Sequence, residues 1–282
     1  MFINTKIISH QILYLHYIMD HIMNNIDIKK SSLKKPLYIP RKCFMNNNDL
    51  IESLQTTRIT KEIMKKVDRV NFCTNKENCY CDKPSHISMN QTISAPHMHA
   101  KAIEFLQEKL VPGASILDVG SGSGYLCACF AKMVSVSDKD HKKRGKVIGI
   151  DIYQKLIHDS NKTIKKFYPE LYKFSSRFKI LHGSGWDGYP ERSKKELYDA
   201  IHVGASADSI PIKLINQLKI GGILVIPLKI GLQEGHTFCR IIKNKDGDLI
   251  MDPKINVRYV PLIKDIPPKK GTRKRRSKRK TI

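Results

Sequence analysis

Ser115–Gly124, reading SILDVGSGSG, constrains the fold more than any other stretch of this chain. Ile116–Val119 is a short apolar run bounded by turn formers, the pattern of a buried strand. Gly120, Gly122 and Gly124 then alternate with Ser121 and Ser123, and Tyr125–Met133 reads as a helix. A glycine turn between strand and helix lets a ligand approach bare backbone, beside the free N–H groups of the helix start. Open α/β sheets bind ligands at such turns. The spacing is G-x-G-x-G rather than the dinucleotide G-x-G-x-x-G, which argues against a nicotinamide cofactor. A tight turn that serves packing alone is the alternative.

The strand–helix unit recurs. Strands are expected at Ser115–Val119, Lys146–Asp151, Phe178–His182, Asp199–Val203 and Ile223–Pro227, with helices at Tyr125–Met133, Gln154–Phe167 and Pro211–Leu218. Such alternation predicts an α/β fold, a doubly wound, mostly parallel sheet covered on both faces. Thr237–Lys243 and Asp248–Met251 flank Lys245-Asp246-Gly247, a turn signal that predicts an antiparallel C-terminal hairpin. Upstream, Asn48 or Asp49 is a candidate cap for a helix Leu50–Gln55, and Thr60 for a helix Lys61–Val70. Residues 71–90 read as loop, and Ser94-Ala95-Pro96 opens a helix whose apolar face carries Met98, Ala102 and Leu110. Composition divides the chain into an extension at 1–47, one domain at 48–264 and a basic tail at 265–282, with Ser135–Arg144 as an inserted charged loop.

The net charge of +24 is partly local, since Lys269–Lys280 holds nine Lys or Arg and no acid. Aromatic residues are not interleaved with the basic runs as a base-stacking surface requires, so nucleic acid contact through the tail is the lesser reading. The seven cysteines are odd in number and form no C-x-x-C, which predicts a reducing, cytoplasmic setting with no disulfide framework and no metal site. No apolar run approaches the length of a membrane span, and His10, Gln11, His16 and Tyr17 interrupt the apolar segment at 7–19.

Carboxylates mark the ends of the first two strands. Asp151 stands where a ribose diol is held, since it accepts two hydroxyl hydrogen bonds, and it could equally cap the following helix. Asp118 precedes the glycines and would serve a cationic or amino-bearing ligand. His182–Gly188 is glycine-rich and holds the only tryptophan, Trp186. His202, in an apolar strand, reads as a hydrogen-bonded core residue with no proton-transfer role. Ser94 precedes Pro96 at a helix start, where it could cap the helix, and it lies in no G-x-S-x-G elbow, which argues against a triad nucleophile. From the residues alone the chain is an α/β enzyme with a nucleoside cofactor.

NQTISAPHMHA (Asn90–Ala100), LDVGSGSG (Leu117–Gly124), GKVIGID (Gly145–Asp151), YDAIHVGA (Tyr198–Ala205), QLKIGGILVIP (Gln217–Pro227) and VRYVPL (Val257–Leu262) together resemble the protein-L-isoaspartate (D-aspartate) O-methyltransferase family, over roughly Asp49 to Leu262. The resemblance implies a Rossmann-like class I fold that uses S-adenosylmethionine and releases S-adenosylhomocysteine. It implies methyl transfer to the free α-carboxyl of isoaspartyl residues in damaged proteins and peptides, by a monomer and without metal. It also implies roles. Ser94 orients the acceptor carboxylate, and Gln91, Thr92, Ile93 and His99 line cofactor and substrate. Asp118, Gly120, Ser121 and Gly122 meet the methionine part, Asp151 and Ile152 the ribose, and Ser184 and Gly185 the adenine. Three positions depart from the family pattern: Ser184 replaces an acid, Ile263 a threonine and Ser88 a glycine. An RNA methyltransferase of the same fold and a binding module without turnover are the competing readings.

Overall fold

The computed structural model of the chain describes residues 42–135, 145–173, 176–189, 197–230 and 235–265, with the backbone of Asp27–Ile28. Most of the expected extension, nearly all of the Ser135–Arg144 loop and the tail beyond Asp265 lie outside the described residues. Strands β1 (Asp27–Ile28), β2 (Ser85–His86), β3 (Thr92–Ile93), β4 (Ser115–Val119), β5 (Lys146–Asp151), β6 (Phe178–His182), β7 (Tyr198–Val203), β8 (Leu218–Leu228), β9 (His236–Lys243) and β10 (Leu249–Val257) are joined by six helices. These are α1 (Asn47–Ser53), α2 (Arg58–Lys65), α3 (Pro96–Leu106), α4 (Tyr125–Val134), α5 (Gln154–Phe167) and α6 (Ile212–Asn216).

The large sheet runs β1-β10-β9-β8-β7-β4-β5-β6, and β2–β3 form a separate hairpin. Pairs among β4 to β8 are parallel, while β8–β9 and β9–β10 are antiparallel. Successive residues alternate between two cores: Ile116 and Val147 face one, and Leu117 and Ile148 the other. Both faces are therefore dry, which is why these strands read as continuous apolar runs. Strand order reverses at β4, with β5 on one side and β7 on the other, so a crevice opens at its carboxyl end.

Several boundaries differ from expectation, each for a local reason. The caps are Asn46 and Thr57, whose side chains accept from Asp49 N–H and Thr60 N–H; each helix starts a few residues earlier than its periodicity suggests. The second helix ends at Lys65, and Arg69–Phe72 is a separate 3-10 turn capped by Asp68. β8 runs through Gly221-Gly222 because the ladder shifts register there instead of ending. β10 continues past Pro253, which sits at a register irregularity where the missing N–H is tolerated.

The expectation of no disulfides is overturned: Cys43 bonds Cys81 and Cys73 bonds Cys79. Cys43 lies opposite Cys81 in an antiparallel bridge, a neighbourhood that chain spacing does not reveal. The odd count arises because Cys127, Cys129 and Cys239 are buried as free thiols. The Cys43 bond also ties residues before 48 to the domain. Among the described residues no group of His, Cys, Asp and Glu is arranged to hold a metal ion, and no helix is long and apolar enough to cross a membrane.

Candidate active site

The crevice at the end of β4 is a cleft of about 230 Å³. Its floor is the glycine turn. Gly120 and Ser121 N–H donate to the Ile150 carbonyl at 2.9 and 3.0 Å, which pins the turn to β5. Gly120 and Gly122 have φ of +68° and +52°, backbone that an L side chain rarely adopts. A Cβ would stand 3.8 Å from its nearest neighbour at Gly120 and 3.5 Å at Gly122, so a side chain at either position would project into the cleft.

Asp151 closes one end. It is 6% exposed, and its carboxylate accepts from Gly122 N–H and Tyr153 N–H at 2.9 Å each. It thus holds both the glycine turn and the start of α5. Burial raises its pKa above the ordinary aspartate value, with the two N–H donors opposing and the Asp118 charge reinforcing. Ile152, Tyr153 and Leu156 continue the wall. Gly183 and Gly185 face the cleft, and a Cβ at Gly185 would stand 2.5 Å from Val119 and 2.7 Å from Leu262.

Two further walls come from segments distant in sequence. Gln91 and Thr92 form one and Val260–Ile263 the other. Ser206 N–H donates to the Val260 carbonyl at 2.8 Å, Leu262 N–H to the Ser206 carbonyl at 2.6 Å, and the Trp186 indole N–H to the Leu262 carbonyl at 3.0 Å. Ser94, just beyond the first wall in the chain, neighbours Tyr259, just before the second; burial pushes the Tyr259 phenol up to about 12 and Ser94 partly opposes this. The N-cap of α3 is Ala95 without a side-chain cap bond, so Ser94 does not serve as the cap.

The cleft gathers Gln91, Thr92, Gly120, Gly122, Asp151, Ile152 and Gly185. Ser94, Ile93, His99, Asp118, Ser121 and Ser184 are not among the residues that line it. Ile93 packs in the core. Asp118 is 1% exposed and does not line the cleft: it accepts from Cys127 Sγ at 3.0 Å and pairs with His202 Nδ1 at 2.7 Å. His99, in the first turn of α3, is buried against Arg69. Ser121 Oγ is buried without a hydrogen-bond partner. Ser184 Oγ accepts from Trp186 N–H within its own turn. Ser88, at the family's glycine position, donates to Asp159 at 2.8 Å and ties the β2–β3 hairpin to α5. The lining residues Gly204, Ala205 and Val260–Ile263 were within reach of the motifs YDAIHVGA and VRYVPL, but nothing local to them specifies a ligand wall.

His202 proves to be the core residue expected, its neighbours Phe130 and Phe238 edge-on at 6.1 and 6.5 Å. Replacing it with phenylalanine would leave the Asp118 carboxylate buried and unpaired. His202→Phe is expected to lower stability by about 3–5 kcal/mol, measured as a drop in the urea midpoint.

A parallel sheet with a glycine floor, a buried carboxylate at the end of the second parallel strand and a two-walled cleft at the switch point defines a nucleoside-cofactor enzyme of the Rossmann-like class. The family model for protein-L-isoaspartate(D-aspartate) O-methyltransferase matches residues 45–266. Protein-L-isoaspartate O-methyltransferase 1 of Arabidopsis thaliana is 40% identical over 221 residues, covering 77% of this chain and 90% of that protein. The Caenorhabditis elegans protein-L-isoaspartate O-methyltransferase is 38% identical over 221 residues, covering 77% and 92%. A Plasmodium falciparum structure described as this methyltransferase in complex with S-adenosyl-L-homocysteine superposes with a TM-score of 0.70 at 38% identity, covering 79% of this chain and 100% of that one. The chain belongs to the protein-L-isoaspartate (D-aspartate) O-methyltransferase family.

Proposed function

We propose that this chain methylates the free α-carboxylate of L-isoaspartyl and D-aspartyl residues in damaged proteins and peptides, with S-adenosylmethionine as donor. The observation that supports this reading is that Gln91 and Thr92, just upstream of Ser94, share one cleft with the glycine floor and with Val260–Ile263, just downstream of Tyr259, which Ser94 neighbours.

The cleft suits the cofactor. Gly120 and Gly122 leave open backbone, Asp151 offers acceptor lone pairs for a diol, Ser121 Oγ is an unspent buried hydroxyl, and Leu156 and Leu262 give an apolar bed. The cofactor supplies a methyl group on a positively charged sulfur. The acceptor carboxylate is already ionised at neutral pH, so no general base is needed. The work left to the chain is to bring two groups into line and keep water out. Ser94 would donate its hydroxyl hydrogen to one acceptor oxygen, and Tyr259 would hold that hydroxyl in place. Ile263 makes the acceptor end of the cleft more apolar than a threonine would.

Transfer of labelled methyl from S-adenosylmethionine into an isoaspartyl peptide, followed by methanol release from the labile ester, tests the proposal. Label in total RNA but not in the peptide would overturn it, as would cofactor binding without turnover. We infer that the chain acts as a monomer in the cytoplasm.

A further inference from the structure

The two disulfides differ in access. Cys73 and Cys79 are 5% and 0% exposed and close a short loop inside the domain. Cys43 is exposed, whereas its partner Cys81 is 1% exposed. Solvent therefore reaches the Cys43–Cys81 bond from one side only. Cys43 also lies outside residues 45–266, which the family model matches, so this bond fastens a segment of the chain's own addition to the family domain.

What the bond clamps leads to α3. Phe44 N–H donates to the Tyr80 carbonyl at 3.0 Å and Asp82 N–H to the Lys42 carbonyl at 3.1 Å, on either side of the Cys43–Cys81 bridge. Asp82 is 6% exposed. Its Oδ1 accepts from His97 N–H at 3.0 Å and lies 2.9 Å from His97 Nδ1. The N-cap of α3, Ala95, makes no side-chain cap bond, so Asp82 is the group that caps this helix, from a distant part of the chain. Oδ2 is buried and has no hydrogen-bond partner among the described residues. The carboxylate is thus held by His97 on one side and by the clamped backbone on the other. Ser94 stands directly before Ala95.

We propose that Cys43–Cys81 is a redox-sensitive clamp on the start of α3, opened by exchange with a low-molecular-weight thiol of the glutathione type, and that Cys73–Cys79 is a fixed bond. An external thiolate attacks the Cys43 sulfur. A sulfur–sulfur bond forms there, the Cys43–Cys81 bond breaks, and its electron pair leaves on the Cys81 sulfur, which then takes up a proton. A second thiolate attacks the mixed disulfide and releases Cys43. Two external thiols are oxidised to one disulfide, and the protein bond is reduced by two electrons. The structure provides for the leaving group: Asn78 Oδ1 lies 3.7 Å from Cys81 Sγ, and Lys83 Nζ lies 3.3 Å from that same oxygen. A nearby cation favours departure of the thiolate, and the carboxamide oxygen accepts from the thiol once it is protonated. Exposed disulfides are the labile, regulatory ones, and in a reducing compartment a disulfide serves sensing more than stability. The consequence for activity rests on reading the cleft as a methyl-transfer site.

The full chain, kept native at graded ratios of reduced to oxidised glutathione, is alkylated and mapped by mass spectrometry. Cys43 and Cys81 should be labelled together at ratios where Cys73 and Cys79 stay bonded. Opening of both pairs at one ratio, or a Cys43–Cys81 bond that persists until the protein is denatured, would overturn the proposal. Hydrogen exchange reads the coupling. On opening, the amides of Phe44, Asp82 and His97 should exchange about tenfold faster while the central sheet is unchanged. An unchanged His97 amide would show that the clamp does not reach α3. The peptide KM should rise about threefold, with kcat and cofactor affinity held. Cys43→Ser should show the opened values at every ratio, and a Cys43→Ser chain that still responds to reductant would refute the assignment. If that variant does not fold, the wild-type titration and exchange decide the matter. A chain that neither binds cofactor nor methylates peptide refutes the functional reading instead, while mapping and exchange still judge the clamp.

Discussion

Replacing Ser94 with alanine should lower isoaspartyl methylation about a hundredfold while cofactor affinity stays within about tenfold. The expectation follows from what the hydroxyl has to do. It is not a nucleophile and not a helix cap, and it lies beside Tyr259, next in the chain to the cleft's Val260–Ile263 wall. Without it, the acceptor carboxylate is free to rotate away from the line of transfer. Ser94→Thr keeps the hydroxyl and should keep most of the activity. Steady-state kinetics on an isoaspartyl peptide, with calorimetry of the cofactor, make the comparison. Equal loss of turnover and cofactor affinity would mean that Ser94 belongs to the cofactor and not to the acceptor.

Asp151→Asn should weaken both binding and stability. A diol that loses two charge-assisted hydrogen bonds gives up roughly 3 kcal/mol, about a hundredfold in cofactor affinity. The free protein should suffer as well: Oδ2 accepts from Gly122 N–H and Oδ1 from Tyr153 N–H, and an amide sets its NH2 group against one of those donors. The melting temperature of Asp151→Asn without cofactor should fall below wild type at pH 7. In the wild type, burial raises the Asp151 pKa, so the stability this group contributes is fully present below its unfolded-state pKa and is lost as pH rises through the folded-state one. The ligand side has the opposite sign. Wild-type cofactor affinity should fall as pH drops through the raised pKa of Asp151, because protonation converts an acceptor oxygen into a donor. The variant's affinity should be flat there. A wild-type affinity that does not change with pH would show that Asp151 does not accept from the bound cofactor.

The sheet was legible because periodicity is local. β4, β5, β6 and α5 fall where their apolar runs place them, since β4 and β5 are buried on both faces, β6 on one, and each carries its signal residue by residue. The glycine floor was legible for the same reason: three alternating glycines after a strand have few other uses. The ends of β8 and β10 were not legible, because Gly221-Gly222 and Pro253 carry turn signals that tertiary pairing overrides with register shifts. The disulfides were misread because an odd cysteine count does not say which members the core removes.

The site divides the same way. The identity of the reacting family, the glycine turn and the buried carboxylate that ends β5 are written in contiguous words, and those words determine what chemistry the chain can host. Asp118 shows the limit. Its place before the glycines suggested a ligand contact, yet the pleat of β4 turns its carboxylate inward to His202 and Cys127. Successive side chains on a strand leave on opposite faces, and only the stacking of layers says which face is the cleft. Tyr259 beside Ser94 and Arg69 beside His99 lie 165 and 30 residues apart in the chain. No local pattern encodes such pairs, because their contact is a product of how hairpin, helix and sheet pack together.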